Sequence, residues 1–186
     1  MLDPITATAL IVAGGLYLLN SSNASASTVG NAVRALLLPS YVKTLSANQL
    51  YMIYIIEREF LAAGLPLSIA CAAVVNAVAE SGLNPSAPGD SGHSIGLFQL
   101  HDGGAGKGMS VADRKDPAIN TRRIIKEVKD SFGKELRRLA SQGATIAQLS
   151  AIFSRDIERP KDKQGEMDKR YAKAEKMFGV DRLIVV

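Results

Sequence analysis

The pattern of apolar and polar positions along the chain predicts a mainly helical protein. Ser46 and Gln49 have the spacing of a capping box, so we expect a helix to start just after Ser46. Apolar residues then recur at helical spacing as far as Gly64. Pro66 is typical of a first helical turn. The run from there to Glu80 is apolar on nearly all sides, which predicts the central helix of the core.

The second half of the chain continues this helical pattern. Thr145 and Gln148 form another capping box, which predicts a short core helix over residues 146–153. Asp116-Pro117 is typical of a cap and a first turn. It predicts an amphipathic basic helix over residues 119–139 that bends at Gly133. The other predicted helices cover residues 31–38, ended by Pro39, and residues 163–178, ended by Gly179.

The N-terminal region has a different character. Residues 5–19 form an apolar run that, as a helix, is about 22 Å long and shorter than a ~30 Å hydrocarbon core. It is open to three interpretations: a short membrane anchor, a helix packed on a partner protein in an assembly, or an export signal. The export interpretation is weakened because no Lys or Arg precedes the run. Residues 20–30 resemble a flexible polar linker, so we divide the chain into residues 1–30 and 31–186.

Composition narrows the functional classes. The chain has 186 residues with 47% hydrophobic and 22% charged content, which indicates one globular domain. The net charge of +4 suits an anionic cell wall or an ordinary soluble surface. Residues 114–138 are rich in basic side chains but nearly lack aromatic ones, so we expect no nucleic-acid partner. Cys71 is the single cysteine, which excludes an internal disulfide.

One acidic residue has the setting of a catalytic acid. Glu80 lies at the end of the apolar helix, and Ser81-Gly82 then ends that helix. Burial at such a position raises the pKa of a carboxyl, which suits a proton donor near neutral pH. The loop that follows is rich in Gly and Ser and can bring backbone amides close to a polar ligand.

Two motifs around this acid carry a family resemblance. Residues 80–85 read Glu-Ser-Gly-Leu-Asn-Pro and residues 96–100 read Gly-Leu-Phe-Gln-Leu. At this spacing they resemble the signature of lytic transglycosylases and phage-tail lysozymes in the lysozyme-like superfamily, including its goose-type members. The downstream Tyr-Asn-Ala-Gly segment of soluble transglycosylases is missing. Residues 153–160 instead resemble the Phe-Glu-x-Pro element of phage-tail lysozymes.

The resemblance implies a fold and a mechanism. It implies a lysozyme-like helical domain with a short loop or strand region beside the catalytic helix, preceded here by the N-terminal apolar helix. It implies that Glu80 is the general acid and base that cleaves the β-1,4 bond between N-acetylmuramic acid and N-acetylglucosamine. In lytic transglycosylases this acid takes a proton back from the sugar's 6-hydroxyl, giving 1,6-anhydro ends without water.

Asp90 leaves a second mechanism open. If its carboxylate faces Glu80 at roughly 6.5–9.5 Å, it can hold a water and give hydrolysis with inversion. An Asp in Gly-Asp-Ser-Gly is equally a turn former. The resemblance also assigns a sugar-holding role that either Asp90 or Ser91 can fill.

Other residues complete the predicted substrate site. Ser81 belongs to the Glu-Ser motif, Gln99 matches the family's sugar-binding amide, and His101 is placed to hydrogen bond a sugar at the cleft edge. Glu158 is expected either to close the cleft by pairing with a basic side chain or to be a solvated helix-end acid. The spacing of His93 and His101 matches no common zinc pattern, so we expect no metal and no cofactor.

These observations predict a virion-associated enzyme that opens the cell wall locally as a phage genome enters. Its partners would be peptidoglycan glycan strands and, through residues 5–19, virion structural proteins or a membrane. Two alternatives remain. One is a bacterial membrane-anchored transglycosylase of a secretion or conjugation machine. The other is a structural virion module that binds glycan without cutting it.

Overall fold

The computed structural model describes residues 7–12, 15–20 and 32–180, with side chains described from residue 32 onward. Helices dominate these residues, as the hydrophobic pattern predicts. In chain order they are α1 Ala32–Leu36, α2 Pro39–Val42, α3 Ala47–Ala62, α4 Leu67–Ser81, α5 Val111–Lys115, α6 Pro117–Lys129, α7 Lys134–Ser141, α8 Ile146–Phe153 and α9 Lys163–Phe178.

The predicted helix starts are confirmed by their caps. The Ser46 and Thr145 hydroxyls each accept a hydrogen bond from the backbone three residues later, and both capping boxes are complete. Asp116 caps α6 through the Ile119 N–H, and Pro117 occupies its first turn. A third capping box, from Ser110, starts α5 and was not expected from the sequence.

The predicted single helix over residues 119–139 is wrong in one respect. The structure has α6 and α7 as separate helices, joined by a 3-10 turn at Ser131–Gly133. A Cβ on Gly133 would collide with the Val128 backbone, so only glycine lets the turn approach the end of α6 this closely. The helix is therefore interrupted at Gly133 rather than continuous through a bend.

Helix α4 is the centre of the domain. All residues from Leu67 to Ala77 are buried, which explains why the sequence is apolar on every side of this helix. Helices α3, α8 and α9 pack directly around it. Gly82 ends α4 in the left-handed conformation, at φ 61° and ψ 25°. The core therefore holds Glu80 at a fixed point where α4 meets the following loop.

A small antiparallel sheet follows α4. It has strands β3 Pro88–Gly89, β4 Ser94–Ile95 and β5 Leu100–His101, in the order β3-β4-β5. Pro88 pairs with Ile95, and Ser94 pairs with His101. This sheet is the loop and strand region that the resemblance implies beside the catalytic helix.

The structure describes only part of the N-terminal segment, for which the sequence predicts an apolar helix over residues 5–19. Its backbone forms two antiparallel strands, β1 Ala7–Val12 and β2 Gly15–Asn20, with Val12 paired to Gly15. Residues 1–6, 13–14 and 21–31 lie outside the described residues, so the role of this segment as an anchor or assembly element stays a prediction.

Across the described ranges, no helix combines the length and the apolar character needed to cross a bilayer.

Candidate active site

The candidate site is built around Glu80 at the end of α4. Its side chain is 25% exposed, so the carboxyl is held by the core but reaches the surface. Nη2 of Arg170, from α9, donates a hydrogen bond to Oε1 of Glu80. The carboxyl at the end of a buried helix is thus paired with a guanidinium from the last helix of the domain.

Arg170 is the hub of the site. Its side chain is only 7% exposed, and every nitrogen of its guanidinium donates to a named partner. Nε donates to Oδ1 of Asn76 at 3.0 Å, and Nη1 donates to Oε2 of Glu166 at 2.8 Å. Nη2 contacts Glu80 and also lies 3.4 Å from Oε2 of Glu158. A planar fork with this many partners has little freedom to rotate.

Asn76 holds Arg170 in this orientation. It lies one turn before Glu80 on α4 and is fully buried. Its Nδ2 donates to the Ala72 carbonyl at 2.8 Å and to the Ser150 carbonyl of α8 at 3.1 Å. The amide oxygen therefore has to face Arg170, and three helices are joined through one side chain.

Glu158 is the second carboxyl at the hub. It ends a π-helical turn, Ser154–Glu158, that continues from α8, and its side chain is 10% exposed. Burial, the largest cause, and the nearby Glu80 carboxyl raise the pKa of Glu158 to about 8, against the opposing effect of Arg170. Its Oε1 is buried and receives no donor from the residues that the structure describes.

Arg159, the next residue, is held by contacts of its own. It adopts φ 55°, in the left-handed region that non-glycine residues rarely occupy. Its guanidinium lies 4.1 Å from the centre of the Phe132 ring and 3.6 Å from Oε2 of Glu127. These contacts anchor the residue that terminates the π-helical turn, and π-helical turns recur at functional sites.

The structure places two predicted substrate residues in internal hydrogen bonds. The Ser81 hydroxyl lies 3.0 Å from the carbonyl oxygens of both Ala77 and Leu97, which ties the end of α4 to the small sheet. Gln99 donates from Nε2 to the carbonyls of Ala87 and Gly96, each at 3.0 Å. Both N–H bonds of that amide are thus used within the loop.

Asp90 and Ser91 lie in an exposed 3-10 turn between β3 and β4, both at positive φ. Oδ2 of Asp90 accepts a hydrogen bond from the Ser94 hydroxyl at 2.6 Å. Among the described residues, the hydrogen bonds and ion pairs of Asp90 do not include Glu80. The structure brings Glu158 to the Arg170 nitrogen that also contacts Glu80. A water-holding role of Asp90 opposite Glu80 stays a prediction.

The two histidines form an exposed pair at the end of the sheet. Their rings are stacked with centroids 5.8 Å apart, and Nδ1 of His93 lies 2.9 Å from Oδ2 of Asp102. That contact lowers the pKa of Asp102. Gly103 donates its N–H to Nδ1 of His101 at 2.9 Å, so Nδ1 is an acceptor and Nε2 carries the ring proton. In the described part of the chain, no group of three or more His, Cys, Asp or Glu side chains is arranged to hold a metal ion.

Two buried residues that the sequence did not single out hold this sheet against the helices. Arg114 of α5 donates from Nη1 to the carbonyls of His93, at 2.6 Å, and Leu100, at 3.1 Å. Asn120 of α6 accepts from the Phe98 N–H at 3.2 Å and donates to the Arg114 carbonyl at 2.7 Å. The loop beside Glu80 is therefore fixed by buried polar contacts rather than by its own short strands.

Sequence reasoning also missed Arg170 and Asn76, although each leaves a signal. Arg170 lies on the helix face that also carries Ala174 and Met177, at spacings of four and seven residues, so it points inward. Asn76 interrupts the apolar run one turn before Glu80. A charged or amide side chain on a buried face needs buried partners, and the two satisfy each other.

Comparison with known proteins identifies the family of this chain. A family model described as phage tail lysozyme matches residues 54–180, a range that runs from within α3 to the end of α9. Neither the curated proteins nor the solved structures gave a match. The matched range covers more than half of the chain and contains Glu80, Glu158 and Arg170. On this basis, the chain that carries this buried carboxyl–guanidinium cluster belongs to the phage tail lysozyme family.

Proposed function

We propose that this protein is a virion-associated enzyme that degrades peptidoglycan, with Glu80 as its general acid and base. It cleaves the β-1,4 bond between N-acetylmuramic acid and N-acetylglucosamine. The observation that carries this proposal is the placement of Glu80 in a chain of the phage tail lysozyme family. A partly exposed carboxyl at the end of a buried helix, beside a small sheet, is positioned to meet a substrate from the surface.

The proposed chemistry starts with proton donation from Glu80 to the bridging oxygen. The bond from that oxygen to the anomeric carbon breaks, and positive charge develops on the muramic acid ring. The 6-hydroxyl of the same sugar then attacks the anomeric carbon while Glu80 takes its proton. The products are a 1,6-anhydro end and a free 4-hydroxyl, and no water is consumed.

Exposed residues of the small sheet supply the proposed sugar contacts. Nε2–H of His101 and the Ser91 hydroxyl lie on exposed residues at the same end of the sheet, where Gly89 pairs with Ser94 and Ser94 with His101. Ser81 and Gln99 support the same surface from within, because their polar groups bond to the loop backbone. Hydrolysis through a water held by Asp90 is the competing route to cleavage.

The proposed location is the phage virion, with action on the host cell wall. Opening the wall locally would let the genome enter. Residues 1–30 would attach the enzyme to virion structural proteins or to a membrane.

Purified wall sacculi test the proposal directly. Wild type should clear a sacculus suspension, and Glu80→Gln should lose at least about 100-fold of the rate, because the amide cannot donate the proton. Glu135→Gln is a matched control: Glu135 pairs with Arg138 on the surface of α7, away from the hub, and this variant should clear at the wild-type rate. Equal rates for wild type and Glu80→Gln would refute the proposal that this protein is an enzyme that acts through Glu80.

Two further readouts separate the alternatives. Mass spectrometry of the released fragments distinguishes anhydro ends from reducing ends, which differ by one water. We expect anhydro ends, and reducing ends would favour hydrolysis. Cosedimentation of the protein with sacculi that it leaves uncleared would indicate a glycan-binding structural module.

A further inference from the structure

Two carboxyls share a single donor atom in this site. Nη2 of Arg170 contacts both Oε1 of Glu80 and, at 3.4 Å, Oε2 of Glu158. The charge of Glu80 also acts on the Glu158 carboxyl and disfavours its ionisation. Two carboxylates that share one donor nitrogen repel each other, so the pair tends to keep one proton.

Burial identifies which carboxyl holds that proton. Oε1 of Glu158 is buried without a donor from the described residues, an expensive state for a carboxylate oxygen. Protonation removes the charge from this carboxyl and lowers the cost of burying an oxygen that receives no donor. Glu80 is the more exposed of the two and receives the closer contact from Arg170.

We propose that Glu158 stores the proton that Glu80 delivers to the glycosidic oxygen, so that the two acids work as one proton-sharing pair across Arg170. This inference rests on the proposed function of Glu80. Glu158 acts through Glu80 and does not touch the sugar.

The proposed cycle balances protons and charge. In the resting state Glu158 is protonated and Glu80 is ionised. Transfer of the proton to Glu80 leaves the net charge of the pair unchanged, and Arg170 compensates either carboxylate because one nitrogen contacts both. After Glu80 protonates the leaving oxygen, two carboxylates face each other. Their repulsion favours removal of the 6-hydroxyl proton by Glu80, which restores one proton to the pair.

The charged groups around Glu158 come from four elements. Glu80 faces it from α4, and Arg170 faces it from α9, where Glu166 lies on the other side of the guanidinium at 2.8 Å from Nη1. On its own turn, Arg155 pairs with Asp156, and Arg159 pairs with Glu127 of α6. Glu80 and Arg170 are the groups whose charge acts on the Glu158 carboxyl.

Infrared spectroscopy tests the stored proton without reference to activity. A Glu57→Gln background removes the other buried acid whose pKa is raised, to about 7. In that background we expect a protonated-carboxyl band that disappears with a midpoint near pH 8. Adding Glu158→Gln should abolish the band. A band that persists unchanged in the double variant, or no such band in the Glu57→Gln protein, contradicts the inference.

The pH dependence of sacculus clearing tests the link to Glu80. In Glu158→Gln, the pH at which kcat/KM falls on the alkaline side (the alkaline limb) should be lower by at least about one unit, because the pair has lost its stored proton. Glu158→Asp, which keeps a carboxyl, should restore the limb in part. Glu166→Gln is the matched control: it removes a different carboxylate from Arg170 and should leave the position of the limb unchanged.

The two proposals fail in distinguishable ways. If wild type clears sacculi but Glu158→Gln keeps the wild-type limb, proton storage is wrong and the enzyme assignment stands. If Glu166→Gln shifts the limb as far as Glu158→Gln does, the effect belongs to the charge of Arg170 and proton storage is wrong. If wild type does not clear sacculi at all, the proposed function fails, and the infrared band alone decides whether the pair shares a proton.

Discussion

Asn76 is a buried, uncharged amide that controls the orientation of the charged cluster at Arg170. It uses both N–H bonds on backbone carbonyls of α4 and α8, so only its oxygen is left for Arg170. Arg170 in turn sets the position of the Glu80 carboxyl. Buried polar networks of this kind are stable only when every member has a partner, so removing one member leaves others without a hydrogen bond.

Replacing Asn76 tests this dependence. Asn76→Ala should lower the free energy of unfolding by about 1–3 kcal/mol, because Nε of Arg170 loses its partner in the core and the Ser150 carbonyl loses one of its two donors. Clearing of sacculi should fall by more than about 10-fold as Arg170 loses its orientation. Urea unfolding and turbidity measure the two effects. Asn48→Ala, at an exposed position of α3, should change stability by less than about 0.5 kcal/mol. An Asn76→Ala protein with wild-type stability and activity would refute the role of the amide.

At the level of elements, the small sheet depends on the helices behind it. Its strands have two residues each, too few to be stable alone. Gly96, at φ 91°, lets the turn after β4 lie close against α5 and α6. A Cβ at this position would collide with the Arg114 carbonyl and the Asn120 amide. The loop beside Glu80 is thus shaped by contact with α5 and α6.

Gly96→Ala should therefore destabilise the protein by at least about 2 kcal/mol, from the left-handed backbone and from the collision together. Gly108→Ala separates the two causes. Gly108 has φ 78° but open space around its missing Cβ, so this variant should lose only about 1 kcal/mol. Thermal unfolding compares them. Equal losses for the two variants would show that the close approach to α5 and α6 is not tight.

At the scale of the whole molecule, two buried acids set the response of stability to pH. Glu57 of α3 accepts hydrogen bonds from the N–H groups of Ala32, at 3.0 Å, and Val33, at 3.1 Å, and so holds α1 onto the domain. Burial raises the pKa of Glu57 to about 7, with the two backbone hydrogen bonds opposing, as burial raises that of Glu158 to about 8. Both acids bind protons more tightly in the folded state than in the unfolded chain.

The sign of the linkage follows from those shifts. A raised folded-state pKa contributes stability that is complete below the ordinary carboxyl pKa and is lost as the pH rises through the folded value. The free energy of unfolding should therefore fall between about pH 4.5 and pH 8. Glu57→Gln should remove up to about 3 kcal/mol of the decrease in unfolding free energy that occurs below about pH 7. Urea unfolding at several pH values measures this difference. A variant whose curve stays parallel to wild type would contradict the assignment. Glu59, whose pKa is lowered by Arg122, acts in the opposite direction and is unaffected by the change.

The sequence by itself determined the helical class, the capped starts of α3, α6 and α8, the central place of α4 and the position of Glu80 at its end. These features depend on local signals, namely hydrophobic period, side-chain caps and helix-ending glycine, which act within a few residues. The family motifs lie in the same stretch, so the candidate acid was recognised from the sequence as well.

Only the tertiary structure decided which groups meet that acid. Glu158 and Arg170 lie 78 and 90 residues further along the chain than Glu80. Arg170 can contact both acids only because α8, the π-helical turn and α9 pack together with α4. Hydrophobic patterning shows that such helices bury one face, but not which side chains coincide at a crossing. Asp90 is close to Glu80 in sequence, yet it lies in an exposed turn, whereas the distant Glu158 shares the donor atom of Arg170.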